Sequence, residues 1–329
     1  MNRLFFWVLL CVLASVFCIS ARAADVVLYT AVDQPYAAPI VRAFEKQSGL
    51  RVALVTDAEA TKSVGLAERV RAEKANPQAD VFWSNEPFHT INLASEGLLA
   101  AYESPSTKDI AEQFRDPEHK WAGNALRARV IALSSRAGVT ATGMADLANP
   151  DLKSKVVMAR PTAGTTGGHV AAVYVLLGEE KATDYFRQLR ANDIRLVGGN
   201  SVVAEQVGRG TFMLGWTDND DITAAQANEG QLSQVLPDQG QDGHGALMVP
   251  TTVGLVAGAR NADNARKLID YLLSREVEQK LIDLKFAQWS VRDLEKSRIK
   301  PMKVDYREVA KALPQAVRRA TAILEGREE

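Results

Sequence analysis

Cysteine is nearly missing from this chain. Its 329 residues hold two, Cys11 and Cys18. Both fall in a segment where Arg3 precedes an apolar run over residues 4–19 and Ala21-Arg22-Ala23 offers a small-x-small cleavage pattern. Residues 1–23 therefore read as an export leader removed before Ala24. The run is shorter than the roughly 20 residues a membrane-spanning helix needs. The bulky Phe17 before Cys18 is unsuited to a lipidation signal. The mature chain is then expected to hold no cysteine, which excludes a disulfide, a thiol nucleophile and a thiolate metal site. A bound metal would need oxygen or imidazole ligands, which suit hard cations. Histidine is scarce too, at His89, His119, His169 and His244. No His-Glu-x-x-His and no Gly-x-Ser-x-Gly occurs, so the zinc-protease and α/β-hydrolase signatures are absent. Excess charge is also lacking. Thirty-nine basic residues face 40 acidic ones for a net −1, and loss of Arg3 and Arg22 makes it −3. No basic face invites nucleic acid or a membrane surface, and no second apolar run reaches transmembrane length.

What is present is an ordinary globular composition, 47% hydrophobic and 24% charged. The chain is longer than one hydrophobic core usually serves, so two domains are expected. Short apolar runs at residues 26–29, 50–55 and 80–83 read as strands. Helical spacing over 36–47, closed by Gly49, and over 58–75 alternates with them. That alternation predicts βαβ units and parallel sheets, with ligands at the carboxyl ends of the strands. Strands are further predicted at 127–134, 155–159, 211–216, 245–250 and 253–256, and helices at 170–177, 202–207, 262–274, 276–284 and 304–324.

The strand ends carry the polar chemistry. Tyr29 closes the first strand and Asp33 follows it. Asp57 and Glu59 follow the second, and Asn85 and Glu86 the third. Any one of these could be a helix cap; three such loops on one sheet edge point to a site. Residues 160–169 form a Gly/Thr-rich turn between a strand and a helix, with Thr165, Thr166 and His169. Free N–H groups and the helix dipole favour an anion there. Arg127 and Arg129 offer planar forks suited to phosphate or carboxylate, or else pair between lobes. After Trp216, the run Thr217-Asp218-Asn219-Asp220-Asp221 places three carboxylates in four residues. At least one should cap the next helix and at least one, with Asp218 and Asp221 as candidates, should face a ligand. The downstream spacing does not match an EF-hand.

Taken in order, several segments resemble the periplasmic binding proteins of ferric-iron-type ABC importers, within the two-lobed extracellular solute-binding proteins. They are Tyr29-Thr30-Ala31, Phe44-Glu45-Lys46-Gln47-Ser48-Gly49, Ala79-Asp80-Val81-Phe82-Trp83, Glu96-Gly97-Leu98-Leu99, Arg129-Val130-Ile131, Gly164-Thr165-Thr166, Gly215-Trp216 and residues 265–274. The resemblance covers roughly residues 25–300. It implies an α/β fold of two lobes, each a mainly parallel sheet flanked by helices. Crossover strands near 127–131 and 247–254 join them, and the ligand is held in the cleft by hinge closure. The expected division is a leader at 1–23, one lobe from 24–128 with about 250–290, and a second from 129–249 with about 291–329. Glu86 matches a carboxylate that such proteins place on the metal, and Thr165-Thr166 the place where some hold a companion anion. The pattern departs at Thr217-Asp218, where ferric-binding members typically carry adjacent tyrosines, and at Asp33, where they often carry histidine or tyrosine.

The expectation is thus a monomeric periplasmic receptor, not an enzyme, with no permanent cofactor. It would hand a small solute or metal ion to an inner-membrane ABC permease. Two ligands stay open. On family grounds the first is Fe³⁺, held by Glu86 and Asp218 with a companion anion at the Gly/Thr turn. The second is an organic anion such as a phosphonate or sugar phosphate. Its head would sit on that turn with Arg127 or Arg129, and the carboxylates would take its hydroxyl or amino groups.

Overall fold

A computed structural model describes residues 24–57, 63–162 and 164–328. The expected leader, Glu59 and the first part of the helix expected over 58–75 lie outside the described residues. Among those described, no helix is long and apolar enough to cross a membrane.

In chain order the regular elements are β1 (Val26–Thr30), α1 (Gln34–Ser48), β2 (Val52–Thr56), α2 (Val64–Ala72), β3 (Val81–Ser84), α3 (Phe88–Ser95), β4 (Leu99–Ala100) and β5 (Ala122–Ser134). Then come β6 (Val156–Ala159), α4 (Gly164–Leu177), α5 (Glu179–Ala191), β7 (Arg195–Val197), α6 (Asn200–Gly208), β8 (Leu214–Asp218), α7 (Asn219–Ala227) and β9 (Leu232–Val235). The chain closes with β10 (Met248–Val256), α8 (Ala262–Leu272), α9 (Arg275–Asp283) and α10 (Tyr306–Leu324).

The strands follow the order β2-β1-β3-β10-β5-β8-β6-β7, with β4 on β10 and β9 on β5. β1 pairs in parallel with β2 and β3, and β6 with β7 and β8. These two parallel groups are the cores of two α/β lobes. β5 joins them: it pairs with β10 through Ala128 and with β8 from Arg129 onward. Strands covered on both faces read as continuous apolar runs, and all four residues of β3 are buried. Alternation still sorts their side chains, Val81 and Trp83 into one core cluster and Phe82 into the other.

Local signals act as the sequence predicts in several places. Pro35 sits in the first turn of α1, where its missing N–H costs nothing. Gly49 ends the helix at φ 71°, and its N–H reaches the Glu45 carbonyl. Elsewhere packing moves the boundaries. α4 starts at Gly164, inside the expected turn, because Thr165, Thr166, Gly167 and Gly168 are all buried. The two strands expected over 245–256 are one strand, β10, with a register shift between Thr251 and Thr252. β5 begins at Ala122, five residues before the predicted start, and β8 runs on through Asp218. Helix α5 was not anticipated, although Glu179 and Glu180 in its first turn and a buried Ala182, Phe186 and Leu189 stripe mark it. At the carboxyl end, α10 packs against α3, α4 and α5.

Candidate functional site

Where β5 passes from one lobe to the other, Arg127 and Arg129 stand two residues apart and so on one face of the strand. β8 pairs Asp218 with Arg129, and the loop after β3 brings Asn85 up beside them. Three helix N-termini converge on the same small cleft: Gly164 and Thr165 of α4, Gly199 and Asn200 of α6, and the residues after Asp218 in α7. The cavity left among them is about 30 Å³.

Asp218 is the hub. One oxygen accepts from Arg129 Nη1 at 2.8 Å. The other accepts from Thr165 Oγ1 at 2.5 Å, Arg127 Nη1 at 3.2 Å and Asn200 Nδ2 at 3.2 Å. Burial raises its pKa, but the charges of Arg129 and Arg127 and the Thr165 hydrogen bond outweigh that and hold it below the usual carboxylate value. Arg127 also donates to Asp220 at 3.1 Å and to the Asn85 carbonyl at 2.6 Å, and lies 4.9 Å over the Phe286 ring. Burial works against its charge, but Asp220 and Asp218 outweigh it and hold the guanidinium protonated. Its Nε is buried with no acceptor among the described residues.

Arg129 lies deeper, at 0% exposure. It donates to His169 Nδ1 at 3.4 Å, Thr165 at 3.1 Å and Thr166 at 3.4 Å. His169 meets the Trp216 ring edge-on at 4.4 Å, and Trp216 Nε1 donates to Tyr185 Oη. Burial, reinforced by Arg129, holds the imidazole pKa well below its ordinary value, so it is neutral and accepts through Nδ1. Arg129, Thr166, His169 and Trp216 thus form a layer beneath the cleft that aims Asp218 and Thr165. Asp221 caps its own helix: its carboxylate accepts from the Asp218 N–H and from Thr217 Oγ1, in a capping box with Asp218.

Other candidates have local duties. Both Glu86 oxygens face the first turn of α3, accepting from the Phe88 N–H at 2.7 Å and the His89 N–H at 3.1 Å. The carboxylate expected opposite Asp218 on a shared cation is here a helix cap. Asp57 accepts from the Leu66 N–H at the start of α2. Tyr29 donates to Glu73, and burial pushes its phenol up to about 12. The Asn85 side chain accepts from Ser63 Oγ at 2.5 Å, so only its carbonyl reaches Arg127. Asp33 stands near Tyr36, whose pKa burial, Asp220 and Asp33 raise to about 12. Sequence reasoning left out Asn200 and Phe286, and from the acidic run it carried Asp218 and Asp221, not Asp220, as ligand candidates. Asn200 had a signal in Gly198-Gly199-Asn200, a second glycine turn between a strand and a helix. It ties Thr165, Thr166 and Asp218 together.

Carboxylate oxygens of Asp218, Asp220 and Asp221 lie within 4.8 Å of one another, close enough to share a cation. The Arg127 guanidinium, however, already donates to Asp218 and Asp220.

Known proteins resemble this chain in sequence and in fold. An uncharacterized protein of Haemophilus influenzae is 29% identical over 224 residues, covering 64% of this chain and 63% of the relative; the chain thus spans less than two thirds of that relative's length. A putative 2-aminoethylphosphonate-binding periplasmic protein of Salmonella typhimurium is 25% identical over 245 residues, covering 74% of this chain and 70% of the relative. The fold matches the apo ferric ion-binding protein A of Pasteurella haemolytica with a TM-score of 0.80 at 23% identity, over 92% of this chain and 98% of that one. The model of the bacterial extracellular solute-binding protein family matches residues 26–283, and the chain belongs to that family.

Proposed function

We propose that this solute-binding protein is the periplasmic receptor of an ABC importer and that it captures a small organic anion with a phosphonate or phosphate head. The family is one of solute-binding proteins, not enzymes. The observation that carries the ligand class is Arg127. Its guanidinium lies among the carboxylates that a ferric ion would need, and its Nε, without an acceptor among the described residues, is a buried donor for an anionic oxygen. The anion pole is built by the N-termini of α4 and α6, Thr165 and Asn200. Gly199, the N-cap of α6, offers no side-chain cap, which leaves the helix's first N–H groups for a ligand. The relative described as binding 2-aminoethylphosphonate supports this class. Asp220 and Asp221 are placed to take an ammonium or hydroxyl group of the same solute. The absent tyrosine pair at Thr217-Asp218 argues against ferric iron as cargo.

The rest of the reading follows from the receptor role. Residues 1–23 are a leader cleaved on export, and the mature monomer works with an inner-membrane permease. One lobe comprises 24–128 and about 250–290, the other 129–249 and about 291–329. The lobes close on the solute about the crossing of β5 and β10. Native mass spectrometry of protein purified from its own periplasm tests the ligand class. A bound organic phosphonate or phosphate ester is expected; an adduct of iron with an inorganic anion would overturn it.

A further inference from the structure

We propose that Phe88 and Gly168 form a stop between the lobes that sets how far the cleft closes, and are positioning residues for solute capture. Phe88 opens α3 and is fully buried. Glu86 fixes its N–H within its own lobe, and Tyr306, which the division above puts in the other lobe, meets its ring at 5.9 Å in an edge-on contact. Tyr306 is anchored in turn by donating to the Met248 carbonyl, at the start of β10, at 2.7 Å. The Phe88 ring also lies against Gly168 of α4, where a Cβ would come within 2.2–2.3 Å of two ring carbons.

Gly168 has no positive φ, so its backbone does not require glycine; only the space does. Glycine inside a helix is otherwise unfavourable, yet here it lets an aromatic ring of one lobe seat directly on a helix backbone of the other. The ligand groups are neighbours of this contact on both sides. Asn85 lies three residues before Phe88, and Thr165 three residues before Gly168, about one turn along the same helix face. The thickness of the Phe88–Gly168 contact therefore fixes the span between the Asn85 loop and Thr165. The 2.6 Å reach of Arg127 to the Asn85 carbonyl depends on that span. Asn92 Nδ2, one turn further along α3, donates to the Ala310 carbonyl of α10 at 3.0 Å and holds the same face.

The inference rests on the two-lobed capture reading, and its test is read without any solute, so the ligand class has no bearing on it. Lys46→Cys in α1 and Asp184→Cys in α5, both at exposed positions, take spin labels in exported protein. The native cysteines lie in the expected leader. Double electron–electron resonance then reports the distances that the lobes sample. The wild type is expected to sample a shortest distance matching this structure. Gly168→Ala should lose that population and shift to longer distances, with a melting temperature near that of the wild type, because alanine favours the helix itself. Phe88→Leu added to Gly168→Ala should restore the short distance. An unchanged shortest distance in Gly168→Ala would overturn the stop. So would a loss that Phe88→Leu fails to reverse, a double variant that does not fold, or a wild type that never reaches the short distance.

Discussion

Asp218→Asn keeps the shape of the hub and removes its charge. In the wild type that carboxylate balances Arg129, which has no exposure to water, and shares Arg127 with Asp220. Asn offers one oxygen where the carboxylate offers two, and its amide donors meet other donors on Arg127, Thr165 and Asn200. Arg129 is left as a buried cation whose remaining partners are His169 and the two threonines, none of them charged. Removing one member of a buried pair costs about 3–5 kcal/mol. At roughly 2 °C per kcal/mol, for a chain somewhat longer than the usual calibration range, the melting temperature should fall by about 6–10 °C. Differential scanning fluorimetry at pH 7 without added solute reads this directly. Asp218 also makes the loss depend on pH. Its folded pKa lies below the ordinary 3.8, so the stability it adds is present above pH 3.8 and is lost as pH falls through the folded value. The gap between wild type and variant should therefore narrow below pH 4. A variant melting within 1 °C of the wild type would refute the claim that Asp218 is the counter-ion of a buried arginine pair.

Two further outcomes follow from the same geometry. Glu86→Gln should lower stability by about 1 kcal/mol in metal-free buffer, the size of a lost cap and helix-end charge; no change in melting temperature without metal would contradict its role on α3. His169→Gln should flatten the pH dependence of the melting temperature between pH 6.5 and 5. The buried imidazole has a folded pKa far below 6.5, so its contribution is complete above pH 6.5 and is lost as pH falls, by up to about 1.4 kcal/mol per unit. An equal slope in wild type and variant would contradict a neutral, buried His169.

Much of this was legible in the sequence because it is local. Arg127 and Arg129 alternate on a strand, Thr165 lies at a strand-to-helix turn, and Asp218 follows an apolar run; each is a statement about near neighbours. Depth was not legible. Arg129, His169 and Trp216 read like ligand contacts but lie under the cleft, because how deep a position sits along one face of β5 or α4 depends on how the lobes meet. Glu86 looked like a metal ligand by position, whereas in the structure its two oxygens accept from the Phe88 and His89 N–H groups at the start of α3. Gly167 and Gly168 looked like turn residues, yet they are helical. They are glycines because Pro161, Phe88 and α10 press against them, a tertiary fact with no local signature.

The central claim is that Arg127 and two helix N-termini make this an anion receptor. Calorimetric titration of solute-stripped protein with 2-aminoethylphosphonate, fructose 6-phosphate and Fe³⁺, the last with and without phosphate or bicarbonate, tests it most directly. The account predicts stoichiometric binding of a phosphonate or phosphate ester that Arg127→Ala weakens at least 10-fold, the scale of a hydrogen bond to a charged group, and no binding of Fe³⁺. Tight Fe³⁺ binding that needs the companion anion, with neither organic solute bound, would contradict it.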